Sequence, residues 1–176
     1  MYRFFLVPET EMFNVLFICT ANSARSIIAE ALLNNVSNGR FQAFSAGSAP
    51  LGHVHPKTLE VLKGAGLSTE GLRSKSWDEF SGSDAPQMDL IITVCDAAKG
   101  EVCPVWPGHP ATAHWGIEDP LRNGNEDIRP FREALRYLEN RIRLFTELPM
   151  EKLEHLKLQQ HMDEVAALHH EAASLK

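Results

Sequence analysis

Two apolar runs stand out along the chain, NVLFIC at 14–19 and DLIITVC at 89–95. Both are rich in β-branched and aromatic residues and nearly unbroken, the pattern of strands covered on both faces in a parallel sheet. FQAFSAG, 41–47, is a weaker strand ending in glycine, and TAHW, 112–115, is a fourth short one. Helical spacing fills the gaps. From Ser23 to about Val36, residues Ala24, Ile28, Ala31, Leu32 and Val36 share one face, and Asn38-Gly39 marks the stop. Pro56 opens a second, shorter helix with Leu59 and Leu62 turned inward. Strands alternating with helices predict an α/β fold with right-handed crossovers.

Further on, Ile128, Phe131, Leu135, Leu138, Ile142 and Phe145 recur at spacings of 3, 4, 3, 4 and 3, predicting one long amphipathic helix against the sheet. Pro149 breaks it, and a second helical segment with Leu153, Leu156, Met162, Val165 and Leu168 on its apolar side runs toward the C-terminus. That extension covers more core or offers a partner surface; an apolar stripe alone does not choose. The organisation is therefore an N-terminal tail over 1–11, a catalytic-type domain over 12–149 and a helical extension over 150–176. Met12 directly precedes the first strand and is an alternative start.

With 176 residues, 44% of them hydrophobic, the chain fits one compact domain. Its net charge of −6 supplies no global positive field, which speaks against nucleic acid and anionic membrane surfaces as partners. No apolar stretch reaches the roughly 18–20 residues of a membrane span, and MYRFFLVPETEM lacks the build of a signal peptide, so the expected location is cytoplasmic. Three cysteines, Cys19, Cys95 and Cys103, cannot all pair, and in a reducing compartment thiol chemistry takes precedence over a structural disulfide. No metal and no cofactor is expected: His169-His170 lacks a third ligand by spacing, and His114-Trp115 reads as a packed turn.

The chemistry is concentrated where the first strand stops. Cys19 sits at the carboxyl edge of a buried parallel strand, where open α/β folds place their ligands. Thr20, Ala21, Asn22, Ser23 and Ala24 are small enough for the backbone to curl its N–H groups inward around an anion, and a helix N-terminus follows. Arg25 adds a planar fork of donors matched to two oxygens of a tetrahedral oxyanion. The same positive field is expected to lower the Cys19 pKa, with the Ser26 hydroxyl donating to the sulfur. Asn22 suits a left-handed position inside the loop and a side chain tied to nearby peptides. Far along the chain, Asp119 precedes Pro120, which keeps it out of a helix; a carboxyl group in such a loop is a candidate general acid.

The loop CTANSARS resembles the active-site loop of the low-molecular-weight protein tyrosine phosphatase superfamily, and more narrowly that of the arsenate reductases built on the same fold. The likeness continues through SAGSAP (45–50), SKSW (74–77), TVCD (93–96) and HWGIEDP (114–120), covering roughly residues 13–148. It implies a three-layer domain with a four-stranded parallel sheet flanked by helices, with Cys19 as nucleophile, Arg25 as oxyanion binder and Asp119 as general acid.

Phosphatase and reductase share the first step, thiolate attack on a tetrahedral oxyanion, and differ in what resolves the covalent adduct. Cys95, at the end of a predicted strand, reaches the same sheet edge as Cys19, and Cys103 follows in CDAAKGEVCP. The resemblance implies a relay in which Cys95 attacks arsenylated Cys19 and Cys103 then carries the disulfide outward, to thioredoxin or to glutathione and glutaredoxin. The spacing between the two distal cysteines is one residue longer than the thioredoxin-coupled type implies, so the reductant stays open. Leu121 and Arg122 follow the Asp-Pro pair where related tyrosine phosphatases carry aromatic residues, which favours a small inorganic oxyanion. Arsenate reduction is thus the first reading. Hydrolysis of phosphate monoesters by a tyrosine phosphatase of this type is the alternative, and a non-catalytic oxyanion-binding module the third.

Overall fold

The structure, a computed structural model, describes residues 12–95, 108, 110–122, 124 and 127–160. Four parallel strands form one sheet in the order β2-β1-β3-β4: β1 (Phe13–Cys19), β2 (Phe41–Gly47), β3 (Leu90–Thr93) and β4 (Ala111–His114). The register pairs Cys19 with Gly47 and Ile18 with Thr93, which aligns the carboxyl ends of the two central strands. The unbroken apolar runs are the central strands, as their pattern requires: Val15, Leu16, Phe17, Ile18 and Ile92 are wholly buried. The alternating β2 lies at one edge and the short, half-exposed β4 at the other.

Three helices follow the predicted positions: α1 (Arg25–Val36), α2 (Pro56–Gly64) and α3 (Arg129–Thr146). α1 lies on β1 and β2 and meets α2 and α3. Being covered on several sides, it buries Ser26, Ile27, Ala29 and Leu33 besides the expected Ile28, Ala31 and Leu32, so its apolar residues do not form a single stripe. Val36, expected inward, is 40% exposed at the helix end. α3 carries the predicted stripe, with Phe131, Leu138, Ile142 and Phe145 buried. Its Phe145 ring meets Phe41 and Trp115 at 5.1 and 5.9 Å, and Trp115 leans on Phe17, which ties helix to sheet through one aromatic cluster.

β3 ends two residues before Cys95, earlier than its apolar pattern predicts. Val94 still donates to Ile18 O at 2.9 Å, and both Val94 and Cys95 are buried beyond the ladder. After Pro149 the chain is helical over 150–160 (α4). Leu153 enters the core, Lys157 Nζ reaches Asp89 Oδ1 at 2.5 Å, and the Gln160 amide takes both the N–H and the carbonyl of Thr112. A side-chain amide thus occupies backbone groups that an edge strand otherwise presents to solvent. Among the described residues no helix is long and apolar enough to cross a membrane. The tail over 1–11, most of the segment holding Cys103, and the residues beyond 160, including Met162, Val165, Leu168 and His169-His170, lie outside the described residues.

Candidate active site

The loop between β1 and α1 is held from behind by its carbonyls. Thr20 O accepts from Ala49 N–H and Ala21 O from Leu51 N–H, both at 3.0 Å. Ser23 O accepts from His55 N–H and from the Thr58 hydroxyl, again at 3.0 Å each. His55 in turn caps α2, its Nδ1 accepting from Lys57 N–H, and stacks on Phe131. With these carbonyls engaged by neighbouring elements, the loop backbone is held in the curled form in which a nest receives an anion. Asn22 sits at φ 45° and is wholly buried, as its residue type allows. A glycine is required alongside it: a Cβ on Gly47 would lie 2.5 Å from Thr20 O and 2.9 Å from Asn22 Cβ.

Cys19 is 3% exposed, and its sulfur lies 2.9 Å from Ser26 Oγ and 3.2 Å from the Asn22 backbone nitrogen, which donates to it. Burial pushes the Cys19 thiol up from its ordinary value, and the nearby Cys95 adds to that; the hydrogen bonds from Ser26 and Asn22 work in the opposite direction. The sequence reading expected a lowered value. The difference arises because the sulfur is dry and because Arg25 is turned elsewhere: its Nη1 donates to Ile117 O at 2.8 Å and its Nη2 stands 3.6 Å from Asp119 Oδ1.

Asp119 is thereby placed over the start of α1, with its side chain 51% exposed and its other contact the Leu121 N–H, which Oδ1 accepts at 3.1 Å. Cys95 is 1% exposed, and its sulfur lies 3.8 Å from Thr20 Oγ1 of the loop. Cys19, Thr20, Ala21, Asn22, Ser23, Ala24, Arg25 and Ser26 therefore form one continuous cradle, with Asp119 and Cys95 at its rim. Cys103 lies outside the described residues. Among the described residues no three His, Cys, Asp or Glu side chains stand together as a metal-binding group.

Sequence reasoning assigned no role to a buried polar cluster behind the loop. Asn22 Oδ1 accepts the backbone N–H of Lys75 at 2.8 Å, while its Nδ2 donates to Ser26 Oγ at 2.8 Å and to Ser45 Oγ at 3.1 Å. Ser45 donates to Glu30, and Lys75 Nζ lies 3.4 Å from Glu30 Oε2 and 3.3 Å from Ser45 Oγ. Burial pushes the Glu30 carboxyl up and the Lys75 ammonium down, each partly opposed by the other's charge. One signal was available: Glu30 lies four residues after Ser26, hence on the same face of α1.

Known arsenate reductases are similar to this chain in sequence and in fold. The Bacillus subtilis arsenate reductase is 31% identical over 136 residues, 76% of this chain and 94% of that protein. Among solved structures, the arsenate reductase from Archaeoglobus fulgidus superposes with a TM-score of 0.61 at 31% identity, covering 76% of this chain and 99% of that one. The thioredoxin-dependent arsenate reductase of Corynebacterium glutamicum superposes with a TM-score of 0.57 at 28% identity, covering 81% of this chain and 62% of that one. Residues 14–162 match the low molecular weight phosphotyrosine protein phosphatase family, and the chain belongs to that family, with arsenate reductases among its relatives.

Proposed function

We propose that the protein reduces arsenate to arsenite, and the observation that carries this over simple ester hydrolysis is the second buried cysteine, Cys95, whose sulfur is 3.8 Å from a hydroxyl of the oxyanion loop. The loop amides and Arg25 bind the tetrahedral oxyanion, which competes with Asp119 for the guanidinium. The Cys19 thiolate attacks arsenic, and an arsenate oxygen leaves as water after taking a proton from Asp119. Cys95, as thiolate, then attacks the Cys19 sulfur. The new S–S bond forms as the S–As bond breaks; its electron pair stays on arsenic, which leaves as arsenite. Cys103 attacks Cys95, returning Cys19 as thiolate, and an external dithiol or glutathione with glutaredoxin reduces the Cys95–Cys103 disulfide. The similarity to a thioredoxin-dependent enzyme favours thioredoxin.

Hydrolysis of phosphate monoesters is the second reading, because the Arg25–Asp119 pairing serves either chemistry. Arsenite release measured with thioredoxin and with glutaredoxin systems, beside hydrolysis of an aryl phosphate, decides between them. Multiple-turnover arsenite production with one reductant supports the reductase. Ester hydrolysis without arsenite formation overturns it.

A further inference from the structure

Two guanidinium groups hold the Asp-Pro turn, each by a different carbonyl. Arg25 Nη1 donates to Ile117 O at 2.8 Å while its Nη2 stands by the Asp119 carboxylate. Arg122 folds back on the turn that carries it: its backbone N–H and its Nη1 both donate to Asp119 O, at 3.2 and 3.3 Å. The rest of its fork is shared between Glu118, whose Oε1 lies 2.8 Å from Nε, and Glu133 of α3, whose Oε2 lies 3.5 Å from Nη2. Glu133 stands on a helix anchored in the core by Phe131, Ala134 and Leu138, so it offers the turn a fixed outside point. Asp119 itself is half exposed, while Ile117 before it and Pro120 after it are buried.

The two holds respond differently to substrate. A tetrahedral oxyanion in the cradle takes the Arg25 fork for itself, since bidentate binding uses the same N–H groups that now face Ile117 O and Asp119. The described partners of Arg122 are the Glu118 and Glu133 carboxylates and Asp119 O, none of them part of the cradle, so the oxyanion does not compete for it. We infer that Arg122 and Glu133 are positioning residues for Asp119: tied to α3, they keep the turn, and with it the carboxyl group, at the mouth of the cradle once the oxyanion has drawn Arg25 away. Half-exposed ion pairs of this kind add little to stability. Proton transfer is more exacting, because the carboxyl must come within about 2.6–3.2 Å of the departing oxygen and a small displacement is costly in rate. A lysine at 122 keeps the charge and loses the planar fork that spans three acceptors.

The inference rests on the reading of Asp119 as the proton donor, and the test separates the two. On the full-length protein, kcat/KM is measured for aryl phosphates of graded leaving-group acidity, beside the single-turnover rate at which arsenate consumes the protein's thiols. Protection of Cys19 from iodoacetamide by inorganic phosphate reports oxyanion binding. Asp119→Asn tests the proton donor alone: parent rates in that variant remove the reading and the inference with it. In Arg122→Ala and in Glu133→Gln, kcat/KM for poor leaving groups and the arsenate rate are expected to fall by about three- to tenfold, short of the roughly 10²–10⁴-fold cost of losing the acid. Good leaving groups should suffer much less, and phosphate protection should match the parent. The double variant should lose no more than Arg122→Ala, because the two side chains act through one contact. Arg122→Lys should recover only part of the loss. A merely structural role lowers the melting temperature and slows all esters alike. Parent kcat/KM for poor leaving groups in Arg122→Ala, or losses that multiply in the double variant, overturns the inference.

Discussion

Arg25 Nη2 stands 3.6 Å from Asp119 Oδ1, so the first residue of α1 and the Asp-Pro turn beyond β4 orient each other across the mouth of the cradle. The guanidinium is fixed on its other side by Ile117 O, two residues before that aspartate. This pairing separates orientation from proton supply. Asp119→Asn keeps an oxygen for Arg25 and loses the transferable proton. Turnover of phosphate esters with poor leaving groups should fall by about 10²–10⁴-fold, while esters with good leaving groups suffer much less. Protection of Cys19 from alkylation by phosphate should be unchanged. Equal losses for both ester classes would place Asp119 outside the proton-transfer step.

The relay makes a different demand. Cys95→Ser and Cys103→Ser each remove a thiol that the reductase cycle needs after the first covalent step, and neither thiol is needed for ester hydrolysis. Both variants should lose multiple-turnover arsenite release and keep aryl phosphate hydrolysis within about twofold, since the ester reaction draws on Cys19 and its Ser26 and Asn22 contacts. Mass spectrometry after reaction with arsenate should find a Cys19–Cys95 disulfide trapped in Cys103→Ser. Parent-rate arsenate reduction by either variant excludes the relay.

Most of the scaffold was legible because the central strands and α3 are specified by periodicity, the signal a single chain carries best. FQAFSAG is β2 to the residue, and the stripe from Phe131 to Phe145 faces the core. The misreadings share a cause. Apolarity reports burial and not hydrogen-bonded ladder, so Val94 and Cys95 were assigned to a strand they only follow, and α1, covered on several sides, gave a stripe that is not a stripe. At the site, the loop residues were legible from their chemistry. The Lys75–Glu30–Ser45 cluster was not, because three short-range patterns far apart in the chain converge only once β2 lies beside β1 and Lys75 backs Asn22. The direction of the Cys19 shift was missed for a related reason, since the dryness of the sulfur is a property of the packed site.

That shift has a consequence for stability. A thiol raised above its unfolded value keeps its proton in the folded state over a range where the unfolded chain has lost it. The folded state then binds more protons, and stability falls as pH rises from the unfolded value of about 8.5; below that range the contribution vanishes. Thermal unfolding of the parent should therefore weaken more steeply above about pH 8.5 than that of Cys19→Ser, and the two should run parallel below it. A parent that instead gains stability relative to Cys19→Ser as pH rises toward about 8.5 has a lowered thiol, and the burial argument fails.

The final prediction concerns α4, which lies over the β4 edge rather than at the cradle. Leu153 is 5% exposed and helps enclose a groove of about 500 Å³ with Trp115, Phe145 and Leu148. Leu153→Ala should cost about 2–5 kcal/mol of stability, nearer the lower end because an already open groove can accept solvent in the space. Gln160→Ala strips Thr112 of both side-chain partners, yet the exposed strand edge can turn to water, so about 0.5–1.5 kcal/mol is expected. Leu153 and Gln160 line the same groove from one helix, so the two effects are expected to couple rather than add. Cys19 alkylation at a temperature where both variants are folded should match the parent, because the described side-chain polar contacts of α4 go to Asp89 and Thr112, at β3 and β4. A changed alkylation profile in either variant would mean that the extension acts on the site and not only on the sheet it covers.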